Sequence, residues 1–149
     1  MAEYVSVQPQ QLVDVGQNVL FVDSIPCPNG YVLHRNGSGI LTLRGCGSNC
    51  FARYEVTFTG NLEVPDGGTA GAIAVALAID GEALQTSRAI VTPSETEQYF
   101  SATSTAKITV PRGCCYTVAV ENVSAGVAGP IEQQAISVAD GNLTVSRIA

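Results

Sequence analysis

Charge is what this sequence has least of. Asp, Glu, Lys and Arg make up 13% of its 149 residues, and Lys107 is the one lysine; an average soluble domain carries roughly 25%. No basic run occurs and the net charge is −6, which opposes the counterion release that holds proteins on nucleic acid and the attraction to anionic membranes. Neither nucleic acid nor membrane is an expected partner. The longest apolar run, Ala70 to Ile79, is too short to span a bilayer, and Met1 to Asp14 has neither the basic start nor the apolar stretch of a signal peptide. The chain is therefore expected to be made in the cytosol.

Catalytic side chains are equally sparse. His34 is the single histidine and no G-x-S-x-G occurs, so a nucleophile, a base and an orienting group cannot be assembled from the sequence. The carboxylates are scattered: Glu95 and Glu97 stand near Pro93, and Asp66 sits in a PDGG turn, without the dense oxygen pattern of a Ca²⁺ loop. No enzymatic activity, cofactor or metal is expected. The cysteines are five, Cys27, Cys46, Cys50, Cys114 and Cys115, and an odd number cannot pair completely within one chain. Cys46 and Cys50 have C-x3-C spacing, off the C-x2-C of structural zinc sites. Cys27, Cys46 and Cys50 form a candidate thiol cluster with three readings: free thiols, a labile disulfide, or zinc with His34 as fourth ligand. Cys114 and Cys115 are adjacent at a strand start, which sends their side chains to opposite faces.

What is present is a β pattern. Val occurs 18 times and Thr 12 times, and no window shows a capped 3.6 period, so helix is nearly excluded. Turn signals fall at PCPNG (26–30), NGSG (36–39), GCGSN (45–49), PDGG (65–68), Asp80-Gly81, PRG (111–113) and Asp140-Gly141. Between them, residues 53–59 put Tyr54, Val56 and Phe58 on one side and Arg53, Glu55, Thr57 and Thr59 on the other. Residues 71–80 alternate Ile73, Val75, Leu77 and Ile79 with Ala72, Ala74, Ala76 and Ala78, apolar on both faces, and Asp80-Gly81 supplies the positive-φ pair of a tight hairpin returning as 82–91. Residues 99–110, 115–123 and 142–148 are further strands, and 18–22, 30–33 and 40–43 shorter ones. About nine or ten such strands predict an all-β fold, a two-sheet antiparallel sandwich.

The order of these segments, NVLFV, RYEVTFTG, AIAVALAIDGEAL, TSTAKITVPRG, YTVAVEN and NLTVSRIA, resembles the trimeric jelly rolls of the C1q and tumour-necrosis-factor superfamily. The likeness is to the C-terminal heads of bacterial collagen-like proteins, across residues 15–149. There is no Gly-X-Y tract, so the stalk of such heads is missing. A small acidic jelly roll without stalk or leader is similar to decoration and head-fibre proteins of bacteriophages. The resemblance implies a jelly-roll sandwich, a homotrimer and a non-enzymatic structural role on a virion, made in the host bacterial cytoplasm. The alternative it leaves open is a receptor- or carbohydrate-binding head on a cell or phage surface. It also implies axis-facing positions, for which Glu55, Thr57, Tyr99, Thr103 and Arg147 are the candidates. The segment before it, Ala2 to Asp14, is either a docking segment that adds a strand to a capsid or other virion protein, or the first strand of the jelly roll.

Self-association also follows from composition. A monomer with 20 charged residues and an alanine face on 72–78 exposes an unusually uncharged surface, which burial between subunits removes. The competing expectation is that the chain's own loop, such as 60–71, covers the alanines.

Overall fold

The alternation from Arg53 to Thr59 makes a strand whose even side chains are all buried and whose odd ones face outward. It continues well past the expected limits, as Phe51–Glu63. The computed structural model describes residues 2–6, 11–25, 31–45, 47, 50–68, 70–124 and 135–148, and arranges them as two antiparallel sheets.

The first sheet runs β10 (Phe100–Pro111), β6 (Phe51–Glu63), β12 (Ile136–Arg147), β1 (Ala2–Ser6) and β3 (Asp23–Ile25), with β2 (Gln11–Val13) beside the start of β12. The second runs β4 (Val32–His34), β5 (Leu41–Arg44), β11 (Cys115–Asn122), β7 (Ile73–Ile79) and β8 (Glu82–Ala83), with β9 (Ala89–Val91) also on β7. The chain crosses between the sheets from β3 to β4, from β5 to β6, from β6 to β7, and at each step from β9 to β12, as a sandwich with crossing connections requires. Tyr54, Val56, Phe58, Leu143 and Val145 of the first sheet meet Leu41, Leu43, Val75, Leu77, Val118 and Val120 of the second in one apolar core.

Tyr54 ties the layers together. Its ring is fully buried and its hydroxyl donates to the Arg44 carbonyl of the opposite sheet at 2.5 Å. A buried carbonyl deprived of its donor is costly, so Tyr54→Phe is expected to lose about 1–2 kcal/mol with the fold intact, read by urea denaturation.

Several expectations are corrected by long-range contacts. The Asp80-Gly81 hairpin forms, with φ of 51° and 85° and Ile79 opposite Glu82, but the return is broken. After β8 the chain takes a 3₁₀ turn, Gln85–Ser87, because buried Ser87 accepts from the Leu77 N–H and donates to the Leu84 carbonyl. Asp140-Gly141 is no chain reversal. Asp140 has φ 55° and the register shifts between Ala139 and Asn142, so the same positive-φ signal makes a bulge inside β12. Residues 18–22 contribute one bridge, Asn18 with Glu121.

The alanine face is covered inside the single chain: Ala74, Ala76 and Ala78 are all buried. The premise that these methyls need a second subunit therefore falls. Of the loop expected at 60–71, residues up to Glu63 belong to β6; Ala78 and Ala76 stand opposite Ala119 and Glu121 of β11, with Gly16, Asn18 and Ile40 beside Ala78. The N-terminal segment is built into the first sheet. β1 has β12 on one side and β3 on the other, so residues 2–6 have no open edge with which to add a strand to a partner.

Candidate functional site

The outward face of the β10–β6–β12 sheet is built by parity. With the even residues of β6, and those of β10 from Ala102 on, turned to the core side, Arg53, Glu55, Thr57, Thr59 and Asn61 turn outward opposite Thr109, Lys107, Thr105, Thr103 and Ser101. From β12, Asn142, Thr144 and Ser146 stand opposite Thr59, Thr57 and Glu55. The centre is a bed of hydroxyls, with Thr57 and Thr105 Oγ1 atoms 2.8 Å apart. Charge lies away from the centre: Glu55 faces Lys107, Arg53 faces Thr109 in the next row, and Asp140 meets Asn61 at the far end.

Both ends of this face are apolar. Exposed Phe51 and Ile148 lie at one end, the latter fixed beside β6 by its N–H on the Arg53 carbonyl at 2.8 Å. Exposed Leu12 and Tyr99 lie at the other. Leu12 stands out beside Ser137 because its neighbour Val13 fills the core. Tyr99 closes over Glu63 and Ser137, a buried cross-strand pair. Burial pushes the Tyr99 hydroxyl above its usual pKa; the Ser137 hydrogen bond lowers it, and the carboxylates of Glu63 and Asp140 raise it further.

Of the five candidate axis residues, Glu55, Thr57 and Thr103 are brought onto this one face and Tyr99 onto its rim. Arg147 is not. It follows Leu143 and Val145 on the core side of β12, and its guanidinium lies 4.2 Å over the Tyr31 ring, a cation–π contact that spans the sandwich end. Alternation along β12 gives this directly: Thr144 and Ser146 are the outward pair. Leu12, Phe51 and Ile148 were not anticipated, since only the pairing of residues far apart in sequence places them on one surface.

Of the thiol cluster, Cys27 and Cys46 lie outside the described residues, and Cys50 is exposed and free. Cys114 and Cys115 are both exposed too, so neither packs inward. His34 Nε2 donates to the Ser38 carbonyl at 2.8 Å and the ring meets Phe21 edge-on at 6.4 Å, an anchoring role for a loop. Among the described residues, no group of three or more His, Cys, Asp or Glu side chains is placed to hold a metal ion, and no helix is long and apolar enough to cross a membrane.

Two antiparallel sheets with this strand order and a long C-terminal strand at the centre of one of them define a jelly roll. No protein-family model matches the chain, and no curated protein does. Its fold is nonetheless that of solved C1q and tumour-necrosis-factor domains. It is similar to the globular domain of zebrafish complement 1qA protein, with a TM-score of 0.59, 16% identity, and coverage of 96% of this chain and 94% of that one. It is similar to Eiger TNF from S. frugiperda, with a TM-score of 0.60, 13% identity, and coverage of 100% and 92%. Murine APRIL gives a TM-score of 0.55 at 11% identity, with coverage of 93% and 97%. The chain has a C1q/TNF-like jelly-roll fold.

Proposed function

We propose that the chain is a non-enzymatic head that closes into a homotrimer through the outward face of β10, β6 and β12. The observation that carries this is the composition of that face: uncharged hydroxyls and amides at its centre, with Leu12, Tyr99, Phe51 and Ile148 exposed at its two ends. Exposed apolar groups framing a polar, weakly charged strip suit a contact between copies, and a closed ring of copies leaves no such strip open. The trimeric count comes from the resemblance to C1q and TNF heads.

Thr57 sits at the centre of the strip, two residues from Glu55. Thr57→Glu brings like charges from every copy together, and their desolvation opposes assembly. Light scattering is expected to give three times the 15.4 kDa chain mass for the native protein and a single chain mass for Thr57→Glu, with unchanged far-UV circular dichroism. A native protein of single chain mass at micromolar concentration removes this reading. The finer placement, on a virion as a decoration or head fibre, rests on the resemblance alone. Mass spectrometry of purified particles tests it: the chain is expected as a component in multiples of three, and its absence rules that placement out.

A further inference from the structure

The second sheet carries a recess on the surface that faces away from the core, with a volume of about 140 Å³. Its floor is the methyl pair of Ala78 and Ala119, which are direct partners across β7 and β11. Ile40 lines it as well, and three oxygen-bearing side chains complete it: Asn18, Thr117 and Glu121. The oxygens have unused accepting capacity. Asp80 Oδ1 takes the Thr117 backbone N–H at 2.8 Å and the Thr117 hydroxyl proton at 3.2 Å, so Thr117 Oγ1 has only lone pairs left to offer. The Glu121 carboxylate has no hydrogen-bond or ion-pair partner among the described residues. Burial alone pushes its carboxyl above the usual range, the signature of a carboxylate that loses water without gaining a cation. No basic side chain lines the recess.

We propose that this recess binds a primary ammonium group on a short alkyl stem. An ammonium has three donors and no acceptor, matching Glu121, Thr117 and the Asn18 amide oxygen, while the stem lies along Ile40 and the two alanine methyls as lysine stems lie along apolar surface. A neutral alcohol leaves the Glu121 charge uncompensated, so it binds far more weakly. The site is on the opposite sheet from the self-association face and does not rest on that reading: either can fail while the other stands.

The test is an amide-resolved NMR titration of the full chain with n-butylammonium chloride, against n-butanol and against potassium chloride at equal ionic strength. Saturable shifts are expected at Ala78, Thr117, Ala119 and Glu121 with the ammonium alone. Glu121→Gln keeps the shape and removes the charge, and is expected to weaken binding roughly tenfold or more. Ala119→Leu keeps the carboxylate and fills the floor, and is expected to do the same. A capped lysine peptide and a free diamine then separate the two sources of such a group, a protein surface or a small molecule, by which of them saturates at the lower concentration. Equal responses to butanol and butylammonium, an unchanged affinity in Glu121→Gln, or no saturable shift with any of the amines overturns the proposal.

Discussion

Asn122→Ala is expected to lower stability by about 3–5 kcal/mol, the sum of three partners left without hydrogen bonds in a site water does not reach. Asn122 is fully buried. Its Nδ2 donates to the Val13 carbonyl at 2.9 Å, and its Oδ1 accepts from the Ser124 N–H at 3.0 Å and the Ser124 hydroxyl at 2.6 Å. Its backbone is held as well, donating to the Gln17 carbonyl and accepting from the Gly16 N–H. One side chain thus joins the end of β11 to the end of β2, more than a hundred residues earlier, so its loss frees the N-terminal segment from the sandwich. For a domain of this size the melting temperature is expected to fall by about 10 °C or more. Ser124→Ala in the same background adds less than it does alone, because the two share their bonds. A loss below about 1 kcal/mol shows that water reaches the site and that the segment is held by its strand pairing alone. Asn122 also stands in an N-V-S sequon, and its burial means that no glycan is attached there in the folded chain.

Phe58→Ala is expected to cost about 3–5 kcal/mol, the range for deleting a buried aromatic ring. Phe58 is fully buried at the middle of β6, between Ser104 of β10 and Leu143 of β12. Its ring lies where a side chain at position 60 would otherwise be: a Cβ added to Gly60 would sit 2.8 Å from the ring Cζ. That glycine and that ring are one packing solution, so neighbouring strands cannot collapse into the space the ring leaves, and most of the cavity persists. Urea denaturation checks this, with the midpoint falling and the slope unchanged. Phe58→Leu retains most of the volume and is expected to lose less than half as much. A Phe58→Ala loss near 1 kcal/mol shows that the core refills and that Gly60 is not bound to the ring.

How much could be read in advance differs from element to element. The strand at 53–59 was legible because strict alternation of seven side chains is a statement about two faces, and the core took the face the pattern named. The Asp80-Gly81 hairpin was legible because a pair of positive-φ residues between apolar runs has few alternatives. The identical pair at 140–141 misled, since a bulge and a reversal ask the same backbone of Asp140. β1 to β3 were barely legible: three to five residues with weak alternation carry little local signal, and they are extended because β12 presents an edge to β1 and β2, and β1 presents one to β3.

The candidate face shows the same division. Glu55, Thr57 and Thr103 follow from parity within their own strands, and parity also puts Arg147 on the core side with Leu143 and Val145, where its guanidinium over Tyr31 makes a charged residue acceptable at the sandwich end. Leu12 and Ile148 joined the face only through partners elsewhere in the chain.

By itself the sequence determined the all-β class, the two faces of the central strands and the first hairpin, because periodicity and backbone handedness act over a few residues. Only the tertiary structure decided that Ala74, Ala76 and Ala78 are buried within one chain, that Asn122 anchors the N-terminal strands, and that Glu121 shares a recess with two alanine methyls. These depend on residues far apart in sequence meeting across strand pairs, and a local pattern holds no record of its distant partner.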